Sequence, residues 1–171
     1  MTTCPPRRGP PPEWADKSFC SLLEAAPDAM LVVSRAGEIV LANFQADELF
    51  GYGRGELIGR SVESLIPPRL RAEHPQHRET FFGAPRIRPM GAGLELFALR
   101  GDGTEVSVEI GLSPLTTESG TFIISAIRDV TGRLRTEELK ASEERSRQLV
   151  RSSSVAMIVS RGLEQKIELP R

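Results

Sequence analysis

A β-hairpin pattern in the second half of the chain constrains the fold more than any other feature. Residues 104–115 follow a Gly101-Asp102-Gly103 turn sequence, and an apolar run precedes it at residues 94–99. The alternation of apolar and polar side chains is strict over Val106, Ser107, Val108, Glu109, Ile110, Gly111 and Leu112. Since successive side chains of a strand point to opposite faces, this period predicts a strand with one apolar face. An Asp-Gly turn between two such runs predicts a hairpin, and hence an antiparallel sheet.

Three more short runs have the composition of β-strands. They lie at residues 30–33, 39–42 and 122–130, and each is rich in valine, isoleucine or leucine. Gly37 lies between the first two runs, where the chain has to reverse. The sequence therefore predicts five strands, two before and three after a middle segment.

The remaining segments of the first half have helical patterns. Residues 14–26 carry apolar side chains at helical spacing and end at Pro27, which predicts an amphipathic cap helix. In residues 43–65 the apolar positions are interrupted by four glycines, so several short helices are expected there. Elements in this order predict an α+β fold built on a five-stranded antiparallel sheet.

Charge and hydropathy limit the classes of partner. The 171 residues include 22 basic and 23 acidic side chains, a formal net charge of −1, so no global field favours nucleic acid or an anionic membrane. The longest apolar runs, residues 29–33 and 122–127, fall far short of the ~20 residues that cross a bilayer. Cys4 and Cys20 lack metal-ligand spacing and are expected to be free thiols. A cytoplasmic protein that binds neither nucleic acid nor membrane is expected.

Both flanks of the predicted domain differ from it in composition. Residues 1–13 are rich in proline and are expected to form a disordered lead-in, with the domain and its cap helix at residues 14–131. Residues 132–150 are highly charged and predict a linker helix, which the i,i+4 pairs Arg133/Glu137 and Glu143/Arg147 favour. That helix is either a solvated one or a signalling helix that pairs with its copy in a homodimer.

Seven short segments resemble bacterial PAS domains, which are sensory modules. In the first half they are LLEAAPDAM at residues 22–30, IVLAN at 39–43, LFGY at 49–52 and ELIGR at 56–60. In the second half they are RGDGTE at residues 100–105, SPL at 113–115 and IRDVT at 127–131. The resemblance implies a PAS fold with its short helices on one face of the sheet and a ligand pocket between them.

Two polar positions within these segments have a physical role of their own. Asn43 directly follows a predicted strand and suits a helix N-cap, because its side-chain oxygen can accept a backbone N–H. Asp129 and Thr131 resemble the family's Asp-x-Thr junction between the last strand and the outgoing helix. That resemblance implies a signal relay from sheet to helix, and plain capping is the alternative.

The end of the chain resembles the start of a second PAS domain. The matching segments are SEER at residues 142–145, QLV at 148–150 and VAMIV at 155–159. Residues 161–171 do not continue the pattern. Residues 151–171 are therefore expected to be the truncated start of a second PAS-like unit from a longer sensor protein.

A flavin chromophore is not expected. Light-sensing PAS domains carry a reactive cysteine in a Gly-Arg-Asn-Cys motif, because the thiol adds covalently to the flavin. The matching stretch reads Gly59-Arg60-Ser61-Val62, so Val62 stands in place of the cysteine.

Haem is the cofactor that the resemblance leaves open. The only histidines are His74 and His77, and RAEHP at residues 71–75 followed by Gly91 resembles haem-binding PAS oxygen sensors. In those sensors the histidine that matches His74 is the iron ligand, which neutral imidazole suits.

The residues around His74 allow two interpretations. Leu70, His74, His77 and Phe81 fall on one stripe at helical period, and Pro75 suits the first turn of a helix. A histidine on such a face could point into a pocket. The alternative is that both histidines are partly exposed on a charged segment.

The resemblance also indicates which residues would surround haem. Arg86 and Arg88 are candidates to pair with the propionates, or belong to a solvated basic loop. Met90 is a candidate sixth ligand, or a core residue. Leu94 and Ala92 stand where oxygen sensors carry a stabilising arginine or a coordinating methionine. If haem binds, a five-coordinate iron that responds to carbon monoxide or nitric oxide is therefore expected in preference to an oxygen sensor.

Three functions compete at this point. The first is a sensory module that binds a small ligand, or responds to a redox or gas signal, and signals through its C-terminal helix to a sensor kinase or a regulator of transcription. The second is a ligand-free module for dimerisation or partner binding. The third is an enzyme, which is not expected because the chain has no phosphoacceptor histidine after Thr131 and no nucleotide-binding glycine loop.

Overall fold

The computed structural model describes residues 12–90, 96–133, 136, 140, 142–145 and 147. The chain divides into two units, Met1–Thr131 and Gly132–Arg171. Most of the expected lead-in and all of the expected second PAS-like unit, residues 151–171, lie outside the described residues. Those two expectations remain predictions.

The first unit has two strands, a group of short helices and then four strands, an α+β fold that confirms the predicted class. The helices are α1 (Lys17–Ala25), α2 (Phe44–Phe50), a 3-10 helix (Val62–Leu65), α3 (Pro68–Arg71) and α4 (His74–Gly83). The strands are β1 (Ala29–Val33), β2 (Ile39–Ala42), β3 (Arg88–Met90), β4 (Leu96–Leu99), β5 (Glu105–Thr117) and β6 (Gly120–Asp129).

The sheet is antiparallel and has five strand positions in the order β2, β1, β6, β5 and an edge. Two segments share that edge: β4 pairs with the start of β5 and β3 pairs with residues 110–112 of the same strand. The sequence predicted β4 but missed β3, since β3 has three residues and Pro89 at its centre. Proline is tolerated there because an edge strand needs fewer ladder hydrogen bonds.

Two apolar clusters lie on opposite faces of this sheet. The inner cluster joins the sheet to α2 and the 3-10 helix through residues that include Leu31, Ile39, Phe50, Leu65, Val106 and Val108. The outer cluster joins it to α1 and the preceding turn through Trp14, Ala15, Phe19, Cys20, Leu23, Val32, Leu41, Phe122 and Ile124. The short helices and the cap helix thus cover different faces.

Local sequence explains how the first elements begin and turn. The Asp16 side chain caps α1 by accepting the Phe19 N–H at 2.8 Å, so this helix begins later than the predicted residue 14. Gly37 turns the chain between β1 and β2 with a φ of +88°, a conformation that residues with a Cβ rarely adopt.

In the second unit, residues 132–133 and 142–145 are helical. Glu143 and Arg147 form an i,i+4 pair at 3.8 Å between exposed side chains, as their spacing predicted. Glu137, the predicted partner of Arg133, lies outside the described residues. Among the residues that the structure describes, no helix is both long and apolar enough to cross a membrane.

Candidate functional site

The inner face of β5 changes from closed to open packing along its length. Val106 and Val108 are 3% and 2% exposed, whereas Ile110 and Leu112, on the same face, are only half-buried. The change occurs where the neighbouring edge segment becomes β3. Along β5 the tightly packed core is therefore followed by apolar side chains, Ile110 and Leu112, that other atoms can reach.

We call Ile110, Leu112, Ile123 and Ser125 the inner wall. In the sheet register Leu112 lies opposite Ser125 and Ile123 opposite Pro114, so the four residues occupy adjacent rows of β5 and β6. On the far side, Ser125 lies opposite the fully buried Leu31 of β1. This wall lies on the face that carries the short helices, where the PAS resemblance implied a ligand pocket.

His74 is the first residue of α4, and the carboxylate of Glu63 contacts its ring. Its Nδ1 lies 3.2 Å from Oε1 of Glu63, and Nη1 of Arg78 lies 3.0 Å from the same oxygen. Ser61 donates its hydroxyl to the other oxygen of Glu63. Burial would raise the pKa of Glu63, but these hydrogen bonds and the Arg78 charge outweigh it and hold that pKa below its usual value.

The predicted helical stripe through His74 is wrong in part. Leu70 and His77 are exposed, and the half-buried or buried positions of α4 are His74, Arg78, Phe81 and Phe82. The stripe fails because α3 ends at residue 71 and α4 begins at residue 74, so one helical period does not run through both. Pro75 does occupy the first turn of α4.

His74 has the chemistry that an iron ligand requires. Among the described residues only Glu63 hydrogen-bonds its ring, through Nδ1, so Nε2 keeps its lone pair available. Metal-binding histidines commonly direct the second ring nitrogen to a carboxylate in this way. The donor therefore fits haem, although its side chain is 33% exposed and shares Glu63 with Arg78.

The other residues assigned to a haem site remain predictions, because most of their side chains lie outside the described residues. Arg86 is exposed in the segment before β3. Arg88 and Met90 are in β3, where their backbones pair with Leu112 and Ile110, and their side chains lie outside the described residues. Leu94 lies outside the described residues altogether.

The residues relevant to flavin lie on two faces of the sheet. Val62 begins the 3-10 helix and packs against the inner cluster. Cys20 belongs to α1 and is buried in the outer cluster. Its thiol is therefore separated by the sheet from the position where a flavin-binding PAS domain needs one.

Asp129 connects three segments at the end of β6. One carboxylate oxygen accepts the Thr131 N–H at 2.8 Å, and the other lies 3.1 Å from Nη2 of Arg100. Arg100 begins the β4–β5 turn, and the next residue, Gly101, donates its N–H to the Phe50 carbonyl of α2 at 2.8 Å. We call Arg100, Asp129 and Thr131 the junction.

The sequence predicted Asp129 and Thr131 for the junction but missed Arg100. Arg100 falls within a segment that carries the PAS resemblance, yet its pairing with a residue 29 positions later is not visible in any local pattern. A Cβ added to Gly101 would lie 3.2 Å from the Tyr52 ring, so the turn also packs tightly on the segment after α2. The junction thus joins the short helices to the end of the sheet.

Asn43 forms a fully buried hydrogen-bond centre. Its Oδ1 accepts the N–H of Ala46 at 3.0 Å, which confirms the predicted N-cap of α2. The same oxygen accepts the Met30 N–H at 2.8 Å, and Nδ2 donates to the carbonyls of Leu23 and Asp28 at 3.1 and 2.9 Å. One side chain therefore ties α1, β1 and α2 together.

Beside Asn43 lies a charge cluster that the sequence did not reveal. Arg54 pairs with Glu24 of α1 at 2.5 Å and lies 3.6 Å from the buried Asp47 of α2, which also accepts the Gly55 N–H at 3.1 Å. Burial raises the pKa of Asp47 against the lowering effects of Gly55 and Arg54. The sequence signal that indicates burial of Asp47 is its spacing, since Asp47 lies one helical turn before the buried Phe50.

Comparison with known proteins gives one consistent result. A family model described as PAS domain matches residues 27–132. The chain is 28% identical over 136 residues to the oxygen sensor protein DosP of Escherichia coli, covering 80% of this chain and 16% of DosP. It is 27% identical over 117 residues to the sensor protein FixL of Bradyrhizobium diazoefficiens, covering 68% of this chain and 23% of FixL.

A solved structure gives the same fold. The PAS domain of an HTR-like protein from Haloarcula marismortui superimposes with a TM-score of 0.54 at 25% identity, covering 64% of this chain and 86% of that one. The chain spans less than a quarter of DosP or FixL, so only the domain that they share is compared.

Proposed function

We propose, from the premise that this chain belongs to the PAS domain family, that it binds a small ligand at the inner wall and relays the binding event through the junction. PAS domains are sensory parts of signal-transduction proteins, so a sensory role is the starting point. The ligand, the relay and the recipient of the signal are the proposal.

The observation that carries the proposal is the change of packing along β5. Val108 is buried against the inner cluster, whereas Ile110 and Leu112 expose apolar surface on the same face of the same strand. Apolar surface next to a packed core favours binding of a small molecule, since burial of that surface stabilises the complex.

The junction provides a physical route from this wall to the end of the domain. The inner wall includes residues of β6, and the same strand ends at Asp129, whose carboxylate holds both Arg100 and the Thr131 N–H. A ligand that shifts β6 relative to the β4–β5 turn would strain the Arg100–Asp129 hydrogen bond and move the carboxylate that also accepts the Thr131 N–H. Relay therefore requires only a displacement that the strand itself transmits.

The recipient is proposed to be a second copy of the chain or a downstream output domain. The charged segment after Thr131 carries the Glu143–Arg147 pair on a helical stretch, as a helix in a homodimer or a linker would. A sensor kinase or a regulator of transcription is the proposed output. No catalytic step is assigned to this chain.

A test follows amide signals of the full chain by NMR while uncharged small molecules are added. Binding should shift the amides of Ile110 and Leu112 together with that of Thr131. In an Asp129→Asn variant the first two should still shift while Thr131 responds less, because one carboxylate oxygen is lost. If the Thr131 amide shifts equally in both proteins, the relay is disproved. If no molecule shifts the amides of Ile110 and Leu112, the ligand site is disproved.

Haem binding is the second candidate function. It is favoured by the position of His74, whose ring is oriented by Glu63 with Nε2 available, and by similarity to a protein named as an oxygen sensor. His74 would hold the iron, and haem would supply the gas-binding position. Arg86 and Arg88 are the proposed partners of the propionates, and Met90 is the proposed sixth ligand.

An absorption spectrum separates the two candidates. Protein expressed with a haem precursor should show a Soret band that is lost in His74→Ala and kept in the exposed control His77→Ala. A colourless wild type would contradict haem binding and leave the small-ligand proposal in place.

A further inference from the structure

Strand β4 lies at the end of the sheet, and among the described residues only β5 pairs with it. Its four residues, LFAL, carry no charge, and three of them are only half-buried. The side of β4 that faces away from β5 is called the open side below. An uncharged edge strand can pair with a strand of another molecule, and folded proteins commonly obstruct such an edge.

The direction of the backbone groups shows which residues of β4 face the open side. Arg100 donates its N–H to the Thr104 carbonyl at 2.8 Å, at the position that follows the last register pair of β4 and β5. In an antiparallel ladder, pairs that exchange hydrogen bonds alternate with pairs that do not. Ala98 therefore bonds to β5, whereas the N–H and C=O of Phe97 face away from β5.

The side chain of Arg69 crosses this open side. Arg69 belongs to α3, which follows the 3-10 helix on the inner face of the sheet. Its guanidinium carbon lies 5.3 Å from the centre of the Phe97 ring, and its Nη1 pairs with Oε1 of Glu105. Phe97 and Glu105 alternate with Ala98 and Val106 of the inner cluster, so their side chains are on the outer face. A side chain that leads from the inner helices to the outer face passes over the edge of β4.

We propose that the open side of β4 pairs with β4 of a second copy of this chain, and that Arg69 competes with this pairing. An added strand would lie about 4.8 Å from β4, in the space that the Arg69 side chain crosses. Pairing therefore requires that Arg69 leave Phe97 and Glu105. This contact is separate from the proposed ligand site and from the charged segment after Thr131.

A second copy fits the open side because antiparallel self-pairing is symmetric. In a two-fold arrangement centred on Phe97, the outward N–H of each Phe97 donates to the outward C=O of the other copy, and Leu96 lies opposite Ala98. The two phenyl rings become cross-strand neighbours, and the uncharged strand brings no like charges together. The paired segment is short, so one ion pair and one cation–π contact are enough to compete with it.

The test measures self-association of the full 171-residue chain by sedimentation velocity over a range of concentrations. Arg69→Ala is compared with the wild type and with the matched control Arg35→Ala. Arg35 also has an ion pair, with Glu79, and lies 6.0 Å from the centre of the Phe82 ring, but it is in the β1–β2 turn. Glu105→Gln is a milder variant that removes the ion pair and keeps the cation–π contact.

Arg69→Ala should lower the dissociation constant of self-association about ten-fold, and Glu105→Gln about three-fold, since each removes interactions that pairing would otherwise break. Arg35→Ala should associate as the wild type does. Unchanged association in both Arg69→Ala and Glu105→Gln would overturn the proposal, as would an equal gain in Arg35→Ala.

Two further substitutions in the Arg69→Ala background locate the pairing on β4. Phe97→Pro removes the outward N–H, whereas Phe97→Val keeps it, and both remove the ring. The proline should abolish the gain in association, and the valine should retain most of it. Equal association of the proline and valine variants would contradict backbone pairing through β4.

Hydrogen exchange distinguishes this contact from dimerisation through the segment after Thr131. In concentrated Arg69→Ala, the Phe97 amide should exchange about ten-fold more slowly than in dilute protein, because it is then hydrogen-bonded. The Ala98 amide, which already bonds to β5, should not change. Slower exchange confined to residues after Thr131 would assign the association to that segment and overturn the proposal.

Discussion

Arg128 binds both carboxylate oxygens of Asp28, a residue 100 positions earlier, with its Nε at 2.9 Å and its Nη2 at 2.8 Å. The pair lies where β1 begins and β6 ends, next to the paired residues Ala29 and Ile127. The pair therefore links the start of β1 to the end of β6, immediately before Asp129 of the junction.

Loss of this pair should have a small and salt-dependent effect. Arg128→Gln should lower the urea midpoint slightly at low salt and almost not at all at high salt, because the Arg128 side chain is 63% exposed and its attraction to Asp28 is screened. Urea unfolding at two salt concentrations measures this. An equally large loss at both concentrations would show that packing, and not charge, is what Arg128 contributes.

Removal of the Asn43 side chain should be far more costly. Asn43→Ala removes four hydrogen bonds made by a fully buried side chain, and should reduce the free energy of unfolding by about 3–5 kcal/mol. Urea unfolding is the measurement. The matched control is Asp16→Ala, which removes an exposed N-cap and should cost about 1 kcal/mol. Similar losses in the two variants would contradict the central position of Asn43.

Asp47 should make stability depend on pH. Its pKa in the folded protein is raised by burial, so its contribution to stability is greatest when it is protonated, below the ordinary value of 3.8, and is lost as pH rises through the folded pKa. Asp47→Asn keeps an acceptor for the Gly55 N–H and removes the titration.

The variant should therefore gain stability relative to the wild type as pH rises from about 4 to 7. Urea midpoints across this range provide the measurement, and Asp16→Asn at the exposed cap of α1 is the control. Parallel curves for the wild type and Asp47→Asn would show that Arg54 compensates fully for the buried charge.

Two glycines with positive φ should differ in their response to alanine. Gly37 and Gly51 have φ of +88° and +69°, but a Cβ at Gly37 would lie 1.7 Å from Nη1 of Arg78, whereas a Cβ at Gly51 would meet nothing within 4 Å. Gly51→Ala should cost about 1 kcal/mol from backbone strain alone. Gly37→Ala should cost more, since Arg78 must also leave its position beside Glu63.

A double variant isolates the clash. Arg78→Ala should make Gly37→Ala less harmful, because the alanine Cβ then has room, and the two free energies of unfolding should not add. Additive losses would contradict contact between the turn and α4.

Local patterns predicted much of this fold from sequence. The β4–β5 hairpin was visible because alternation and an Asp-Gly turn act over a few residues, and Asn43 was recognised as a cap because capping depends on the next three residues. Strand β5 nevertheless runs to Thr117, two residues past its predicted end, because pairing with β6 extends it.

The contacts of the candidate site were not predictable in the same way. The Glu63–His74–Arg78 cluster and the Arg100–Asp129 pair join residues that only the folded chain brings together.

Two short segments, β3 and β4, share one edge of the sheet, and this division affects how fast a ligand exchanges at the inner wall. Segment β3 contributes three residues, and its central Pro89 has no N–H to donate, so few hydrogen bonds hold it to β5. Strand β4 is paired separately and β6 lies on the other side of β5, so β3 can detach while both remain in place. Exchange at the inner wall would then proceed by local opening, at a rate that does not depend on the global unfolding of the domain.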